Sequence, residues 1–559
     1  MINLNYNKFI KYLFNNFKKK TFFIFLLSIL ETLLEIFSII ILISALTLLL
    51  TKNYTYNLFN FFHYNFDSSV GLFYLIVIIY FIKNLSLILI HWMKLDLCGK
   101  IYKKLSQSTY KTLLYKNNLY LNNFSQGDMA QSVIEETGFT KEVITSFVSI
   151  LTEILIIFSL FLFIGYQNIN AAIITIISLL IGGYAYYLFM KNKNIILGEK
   201  RQFFSIKIMN LLFQSLSLHK LILLGDKIKY FLERFTRKIT ILYKISRDQI
   251  TIQYSARLWL EICLLIILVF TITPLIKDDS VNSDKVSNIL LIAIVSIRFV
   301  PSFANVLGSF STIQYGKKAV SNIMNILENN NNDDNIIKNI NLNFDKLIIK
   351  SLSFKYEGNE NYLFHNFNAI FKNNSLIGIK GENGSGKTTL LKIISGLIHP
   401  NEGHLTINSK SIYDEKKLHY NWKKNIGYAD QKIIFSNETV LNIIAFGVSS
   451  ENINEKLVES CLEKVDLLNF FKDKSDKLNM LLGENGIKLS AGQLQKLNIA
   501  RALYSKPKIL ILDEITNNLD TKSQEKILDL LISIKRETLI IIASHSSLIL
   551  DQCDEIINL

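Results

Sequence analysis

Two-thirds of the way along this chain, Gly381-Glu382-Asn383-Gly384-Ser385-Gly386-Lys387-Thr388 has the G-x4-G-K-[ST] spacing of a phosphate-binding loop. The glycines let backbone N–H groups close around phosphate oxygens. Lys387 is placed to reach the β- and γ-phosphates, and Thr388 offers a hydroxyl to Mg2+. The apolar run Leu376–Ile379 precedes the loop as a strand, and Thr389–Leu397 follows it as a helix whose N-terminus adds partial positive charge. With both flanks in place, a chance Gly-rich loop is a poor explanation. A second run, Lys508–Glu514 (KILILDE), reads as a buried strand with Asp513 at its end, where a Mg2+ contact is needed. Glu514 comes next and can polarise an attacking water.

Between these runs lies Leu489-Ser490-Ala491-Gly492-Gln493, followed by a helix through Ala500-Arg501-Ala502. Here the chain resembles the ATP-binding cassette (ABC) superfamily, whose LSGGQ signature LSAGQ closely matches. The resemblance implies that the Ser490 hydroxyl and nearby N–H groups contact the γ-phosphate held by an opposite subunit. Ala491 replaces the usual glycine with another small residue. Tyr356 in FKYEG resembles the aromatic residue that stacks on adenine, and Thr389 joins the loop residues in the ATP site. Gln431 in GYADQ resembles the loop glutamine that touches Mg2+ and the membrane domain. Gly483-Glu484-Asn485-Gly486 looks like the stretch before the signature. Asp520 in Asn517-Asn518-Leu519-Asp520 keeps the acid of the usual S-A-L-D, and His545 resembles the switch histidine at the γ-phosphate. The implied set is ATP with Mg2+ on Thr388, Gln431 and Asp513, and Glu514 and His545 as catalytic residues. One chain carries one copy of each part, and in this family the loop and the signature of one chain serve different nucleotides. The resemblance therefore implies two chains facing head-to-tail, as a homodimer or a heterodimer.

The elements that position these residues occupy residues 342–559, where short β-branched runs alternate with helical stretches. Leu347–Ile349, Leu376–Ile379, Ile426–Tyr428, Ile509–Leu512, Leu539–Ala543 and Glu555–Leu559 predict a mainly parallel α/β domain. Glu328–Asn341 is an Asn-rich polar linker. Residues 1–327 are different. Apolar stretches near Thr21–Leu50, Val70–Met93, Val143–Tyr166, Asn170–Met190, Ser255–Ile276 and Val286–Phe310 each match the ~20 residues that span a bilayer. No cleavage pattern precedes the first, which is therefore expected to remain as an anchor. Lys94–Leu119 and Arg201–Tyr243 have helical periodicity, so the spans should continue into the cytosol. The expected architecture is a membrane bundle of six transmembrane helices with long cytoplasmic extensions, then an α/β P-loop ABC domain.

Charge gives the orientation. The net +15 lies wholly in the first 330 residues, which hold 33 Lys+Arg against 18 Asp+Glu. Segments 1–20, 94–142 and 191–254 carry 25 Lys/Arg, whereas the alternate loops 51–69, 167–169 and 277–285 carry 3. This positive-inside asymmetry places both termini in the cytoplasm. The basic balance is then topology, and nucleic acid is not an expected partner. A chain that is 50% hydrophobic and 19% charged is not disordered. Four distant cysteines without C-x-x-C spacing give neither a disulfide framework nor a zinc site.

Six spans followed by one cassette resembles a half-transporter exporter of a bacterial inner membrane. Family elbows would fall near Asn122–Met129 and Gln214–Leu218. Ionisable residues within spans are candidates for function: Glu31, Glu35, Lys83, Glu153, Glu261 and Arg298. Ion pairs between helices, such as Glu261 with Arg298, are the alternative. Ile297-Arg298-Phe299-Val300-Pro301-Ser302 and Leu30-Glu31-Thr32 are similar to short patterns of bacterial PglK-type lipid-linked oligosaccharide flippases. That resemblance implies a polyprenyl diphosphate glycan as cargo, with Arg298 and Lys83 facing its pyrophosphate and Glu31 and Glu35 in the same cavity. A peptide or bacteriocin exporter, another lipid or drug exporter, and a regulatory ABC protein are the rivals. With about 20 residues before the first span, no leader-cleaving peptidase domain is expected.

Overall fold

A computed structural model of the chain describes residues 2–51, 69–116, 124–167, 169–276, 283–328, 344–413, 416–431, 433, 437–473, 477–483, 489–516 and 519–559. They fall into two compact units, residues 2–328 and residues 344–559. Most of the expected linker, the segment 484–486 before the signature, and Asn517 and Asn518 lie outside the described residues.

The first unit is helical. Helices α1 (Ile2–Thr51), α2 (Ser69–Leu114), α4 (Thr137–Gln167), α5 (Ile169–Ser217), α7 (Ile228–Ile276) and α8 (Ser283–Tyr315) each contain one expected span. Short helices α3 (Gln126–Gln131) and α6 (His219–Leu224) lie between long ones, and α9 (Lys317–Glu328) ends the unit. Forty-nine residues at 1.5 Å each make α5 about 73 Å long, against a hydrocarbon core of ~30 Å. The helices must therefore run well outside the bilayer. Among the described residues, Tyr6–Ser38, Val77–Leu114 and Gln126–Leu162 are long and apolar enough to cross a membrane. Large apolar side chains such as Phe22, Phe81 and Ile181 point outward. Lipid, rather than water, is the solvent that suits them.

Small residues let the helices approach. A Cβ on Gly198 would stand 2.1 Å from the Tyr315 carbonyl oxygen, so α5 and α8 meet backbone to backbone there. The Trp259 indole donates to Gly182 O at 3.0 Å, and Tyr186 OH pairs with Ser255 Oγ at 2.7 Å and with Ile252 O. These bonds fix α5 and α7 as an antiparallel pair. Arg201, buried, lies 3.4 Å from the Phe139 ring centroid and 3.3 Å from Glu136, tying α5 to the start of α4.

The elbows differ from expectation in detail. Ser125 caps α3 in a reciprocal capping box with Asp128, within the expected Asn122–Met129 region; residues 117–123 are outside the description. The second elbow, expected near Gln214–Leu218, opens there with the end of α5 at Ser217 and extends through α6. Helix α5 stops at Ser217, and Gly225 with Asp226 at φ 48° turns the chain into α7. Helical periodicity persists on both sides of the break, so it could not mark the reversal. Helix α2 likewise ends at Leu114 rather than Leu119.

The second unit holds β1 (Lys346–Phe354), β2 (Phe364–Lys372), β3 (Leu376–Lys380), α10 (Lys387–Ile394), β4 (Glu402–Ile407), β5 (Lys410–Ser411), α11 (Lys416–Lys424) and β6 (Ile426–Ala429). It continues with α12 (Val440–Ile444), α13 (Glu455–Lys464), α14 (Leu468–Lys472), α15 (Ala491–Tyr504), β7 (Ile509–Asp513), α16 (Thr521–Ile534), β8 (Leu539–Ala543), α17 (Ser547–Leu550) and β9 (Glu555–Asn558). A parallel sheet has the order β6-β7-β8-β3-β9. Strands β7 and β8 are buried along their whole length, which is why they read as unbroken apolar runs. A separate antiparallel sheet, β2-β1-β4-β5, takes β1 out of the expected parallel set. Strands β2 and β4 escaped the sequence reading because one face is exposed and polar, as in Phe364-His365-Asn366. Because the five central strands run in parallel, the residues after β3, β6, β7 and β8 all emerge at one edge, where such sheets bind ligands.

Candidate functional site

At that edge the loop after β3 turns through Gly384 (φ 89°) and Gly386 (φ 102°), conformations that suit glycine alone. Gly381 is also held tight, since a Cβ there would lie 2.4 Å from Ser385 Oγ. Helix α10 then begins at Lys387, two residues earlier than expected, and ends at Ile394 rather than Leu397. The buried Lys387 ammonium donates to Gly381 O at 2.9 Å and Glu382 O at 3.1 Å. It also lies 2.9 Å from His545 Nε2 and 3.5 Å from Glu514 Oε1. Ser385 Oγ is buried with no hydrogen-bond partner in the protein, a polar atom suited to a phosphate oxygen.

Glu514 follows β7 with φ 49°, a strained geometry for a side-chain-bearing residue, pinned by its N–H donating to Ala543 O at 3.0 Å. The Gln431 amide, from the end of β6, donates to Glu514 Oε2 at 2.7 Å. His545, from the end of β8, lies 3.6 Å from Glu514 Oε1. Four chain segments thus meet on one carboxylate.

Asp513 is fully buried and accepts from Thr388 Oγ1 at 3.1 Å and from Tyr428 OH at 3.4 Å. Burial raises its carboxyl above the usual range, and Asp430 and Glu514 push the same way against the two hydrogen bonds. Such a site rewards a cation. A hydroxyl, a carboxylate and an amide are the hard oxygen donors that Mg2+ takes alongside water and phosphate, so Thr388, Asp513 and Gln431 fit it. Tyr428, whose phenol is itself pushed up mainly by burial, was not found from sequence. A tyrosine inside a short β-branched run carries no motif.

Tyr356 OH is 2.8 Å from Thr389 Oγ1, and its ring meets Phe354 edge-on at 5.1 Å. That sets the tyrosine beside the phosphate-loop helix. Across the domain, Ser490 and Gln493 form a second capping box: Ser490 Oγ accepts from Gln493 N at 3.3 Å, and Gln493 Oε1 accepts from Ser490 N at 3.0 Å. Ala491 is the exposed first residue of α15, Gly492 packs near Leu519, and Leu489 is buried beneath. Asp520 begins α16, and a hydrogen bond from Ser523 holds its carboxyl below the usual range.

The membrane candidates are arranged otherwise. Glu31 pairs with Lys94, which also donates to Thr152 Oγ1 at 3.0 Å. Glu35 pairs with Lys83 at 3.5 Å, and that ammonium stands 4.9 Å from the Tyr80 ring centroid. Glu31 with Lys94, and Glu35 with Lys83, therefore join α1 to α2 as ion pairs, the alternative weighed from the sequence. Glu153 accepts from Asn305 at 2.7 Å. Glu261 pairs with Arg257 on its own helix at 2.8 Å. The Arg298 side chain lies outside the described residues. Lys94 was missed because it sits just past an apolar stretch, where a lysine reads as a boundary.

Residues 364–517 match the family model described as ABC transporter, and residues 488–551 also match one described as AAA domain, putative AbiEii toxin, Type IV TA system. The chain is 27% identical over 297 residues to the ATP-dependent lipid A-core flippase of Haemophilus influenzae (strain 86-028NP), covering 53% of this chain and 50% of the relative. It is 28% identical over 333 residues to the Lactococcin-G-processing and transport ATP-binding protein LagD of Lactococcus lactis subsp. lactis, covering 58% and 46%. The chain thus spans about half the length of the curated relatives it matches. A solved structure of a bacterial Atm1-family ABC exporter with ATP bound superposes with a TM-score of 0.80 at 15% identity, covering 98% of this chain and 94% of that one.

Proposed function

Residues 364–517 are an ATPase domain of the ABC transporter family within a chain that has the ABC exporter fold, and from that premise we propose an ATP-driven exporter or flippase for an amphipathic substrate. The observation that carries the reading is the meeting of Lys387, Gln431, Glu514 and His545 at one strand edge, beside the Thr388–Asp513 pair.

Loop N–H groups and Lys387 hold the β- and γ-phosphates of ATP. Thr388, Asp513 and Gln431 would hold Mg2+, which neutralises charge on the phosphates when bound. The Gln431 amide orients the Glu514 carboxylate, whose other oxygen, facing Lys387 and His545, takes a proton from the attacking water. His545 stands beside that oxygen and steadies the γ-phosphate. Tyr356 flanks the adenine end. A second copy of the chain completes each site from its Leu489–Gln493 signature, with the Ser490 cap presenting N–H groups and a hydroxyl at a helix N-terminus. ATP drives transport only by favouring one conformer of the pair over another.

The proposed cargo is a lipid-linked oligosaccharide moved from the cytoplasmic to the outer face of a bacterial inner membrane, with both termini cytoplasmic. The positive-inside charge supports the orientation, and the relative named as a lipid A-core flippase supports lipid cargo. The relative named for lactococcin G supports a peptide exporter as the second reading. Translocation of a labelled lipid-linked oligosaccharide in proteoliposomes tests the choice. ATP-dependent movement by the wild type, absent in Glu514→Gln, is expected. ATP turnover without movement transfers the proposal to peptide cargo.

A further inference from the structure

Lys193, Lys200 and Lys207 recur every seven residues on α5, two helical turns or about 10.5 Å apart, and all three are exposed. Phe189, Ile196 and Phe203 recur four residues before each lysine, one turn away on the same face. These apolar side chains are 63%, 49% and 52% exposed. The Lys193 ammonium stands 4.3 Å from the Phe189 ring centroid, and that of Lys207 stands 3.9 Å from Phe203. One face of the helix is therefore an alternating row of apolar groups and cations. It starts at the end of the expected span, Met190, and runs outward from the bilayer.

Helix α7 adds to the row. The bonds from Trp259 to Gly182 and from Tyr186 to Ser255 set the antiparallel register. Carried along the pair, that register brings Lys207 opposite Arg234, with Lys238 one turn further. The Lys238 ammonium is held below its usual range, first by burial and then by Lys207 and Arg234. Residues 191–254 hold 13 Lys/Arg and only four acids, Glu199, Asp226, Glu233 and Asp248. Glu233 is engaged by Arg237 at 3.6 Å, and Asp248 by Arg247 at 2.6 Å. Among the described residues, no carboxylate lies within ion-pair distance of Lys193, Lys200, Lys207, Arg234 or Lys238.

We infer that this α5–α7 face is a docking track for a phosphate-bearing lipid, its head on the lysines and its tail along Phe189, Ile196 and Phe203. Gathered cations repel one another, and a phosphate relieves that repulsion. An apolar row beside them, continuous with the bilayer, suits an acyl or isoprenoid chain better than a soluble polyanion. The inference rests on the lipid-exporter reading and extends it to a site outside the cassette.

The test is lipid binding to the full chain in detergent, followed by native mass spectrometry, with dioleoyl phosphatidic acid, dioleoyl phosphatidylcholine and inorganic pyrophosphate as separate probes. The wild type is expected to retain phosphatidic acid over phosphatidylcholine. Lys193→Gln/Lys200→Gln/Lys207→Gln should weaken that binding at least about tenfold, at near 1 kcal/mol per surface lysine, while basal ATPase persists. Phe189→Ala/Phe203→Ala should weaken phosphatidic acid but not pyrophosphate. Unchanged phosphatidic acid binding in the triple variant overturns the inference. So does pyrophosphate binding as tightly as the lipid with no effect of the phenylalanines, which makes the row a free-phosphate site. Loss of dimer mass in the triple variant also overturns it, because the row then belongs to a second copy. If phosphatidic acid binds as expected and no lipid is translocated, the lipid-cargo reading fails and this site stands.

Discussion

The nucleotide site and the membrane bundle both bring charged residues together, but they do so to opposite ends. In the cassette, Lys387, Glu514 and His545 converge at the open edge of a parallel sheet, and the Gln431 amide orients the carboxylate. In the bundle, Glu31 closes on Lys94 and Glu35 on Lys83, so each charge is answered by a neighbouring helix. On the proposed reading the first arrangement serves a ligand, whereas the second joins α1 to α2. A charge inside a span is thus a sign of function only after its partner is known.

The largest effect expected from that contrast is on Lys387. Its ammonium is the buried cation of the phosphate loop, so Lys387→Ala should abolish ATP binding, as read by a fluorescent nucleotide, while the fold survives. ATP bound at wild-type affinity would remove the distinction between ligand-facing and helix-facing charges.

Next comes Lys94, 5% exposed. Lys94→Ala leaves Glu31 without its cation and should destabilise the protein by about 3–5 kcal/mol, the usual cost of breaking a buried pair. Thermal unfolding checks this, and the Lys94→Met/Glu31→Gln double variant should recover most of the loss. If transport fell in the double variant while stability returned, the pair would belong to the substrate path after all.

The smallest effect sharpens the comparison within the cassette. His419, on α11, lies 2.9 Å from Gly396 O behind the phosphate-loop helix and forms an aromatic cluster with His399 and Tyr413. Burial, with Lys423 adding to it, pushes its pKa down to about 4. The imidazole is neutral in the fold, and between pH 6.5 and 4 the unfolded chain binds the proton that the fold refuses. Stability should therefore be full above pH 6.5 and fall as the pH drops toward 4. Discounting for partial exposure, about 1 kcal/mol or 2–4 °C of melting temperature is at stake. His419→Asn should flatten the profile over that window. An equally steep profile in the variant would assign the acid loss to other groups.

The same contrast explains what could be read from the sequence. Lys387, Thr388, Asp513, Glu514 and His545 were legible because a parallel sheet delivers every strand end to one edge, so a motif's place on its strand fixes its place in the site. Tyr428 was not, since its role depends only on being beside β7. In the bundle the six long helices were legible from apolar length. The partners of Glu31 and Glu35 depend on how each helix is rotated and offset against its neighbour, which hydropathy does not record. The antiparallel sheet was half legible, as strand β1 was seen and β2 and β4 were hidden by their polar exposed faces.

The most direct test is single-turnover and steady-state ATP hydrolysis by the full chain, wild type beside Glu514→Gln, with bound nucleotide recovered and identified. A carboxylate that accepts the proton of the attacking water predicts a fall in turnover of about 100- to 10,000-fold, with unhydrolysed ATP trapped in a stable dimer. Turnover near the wild-type rate in Glu514→Gln would contradict the base assignment and, with it, the reading of this strand edge as the catalytic site.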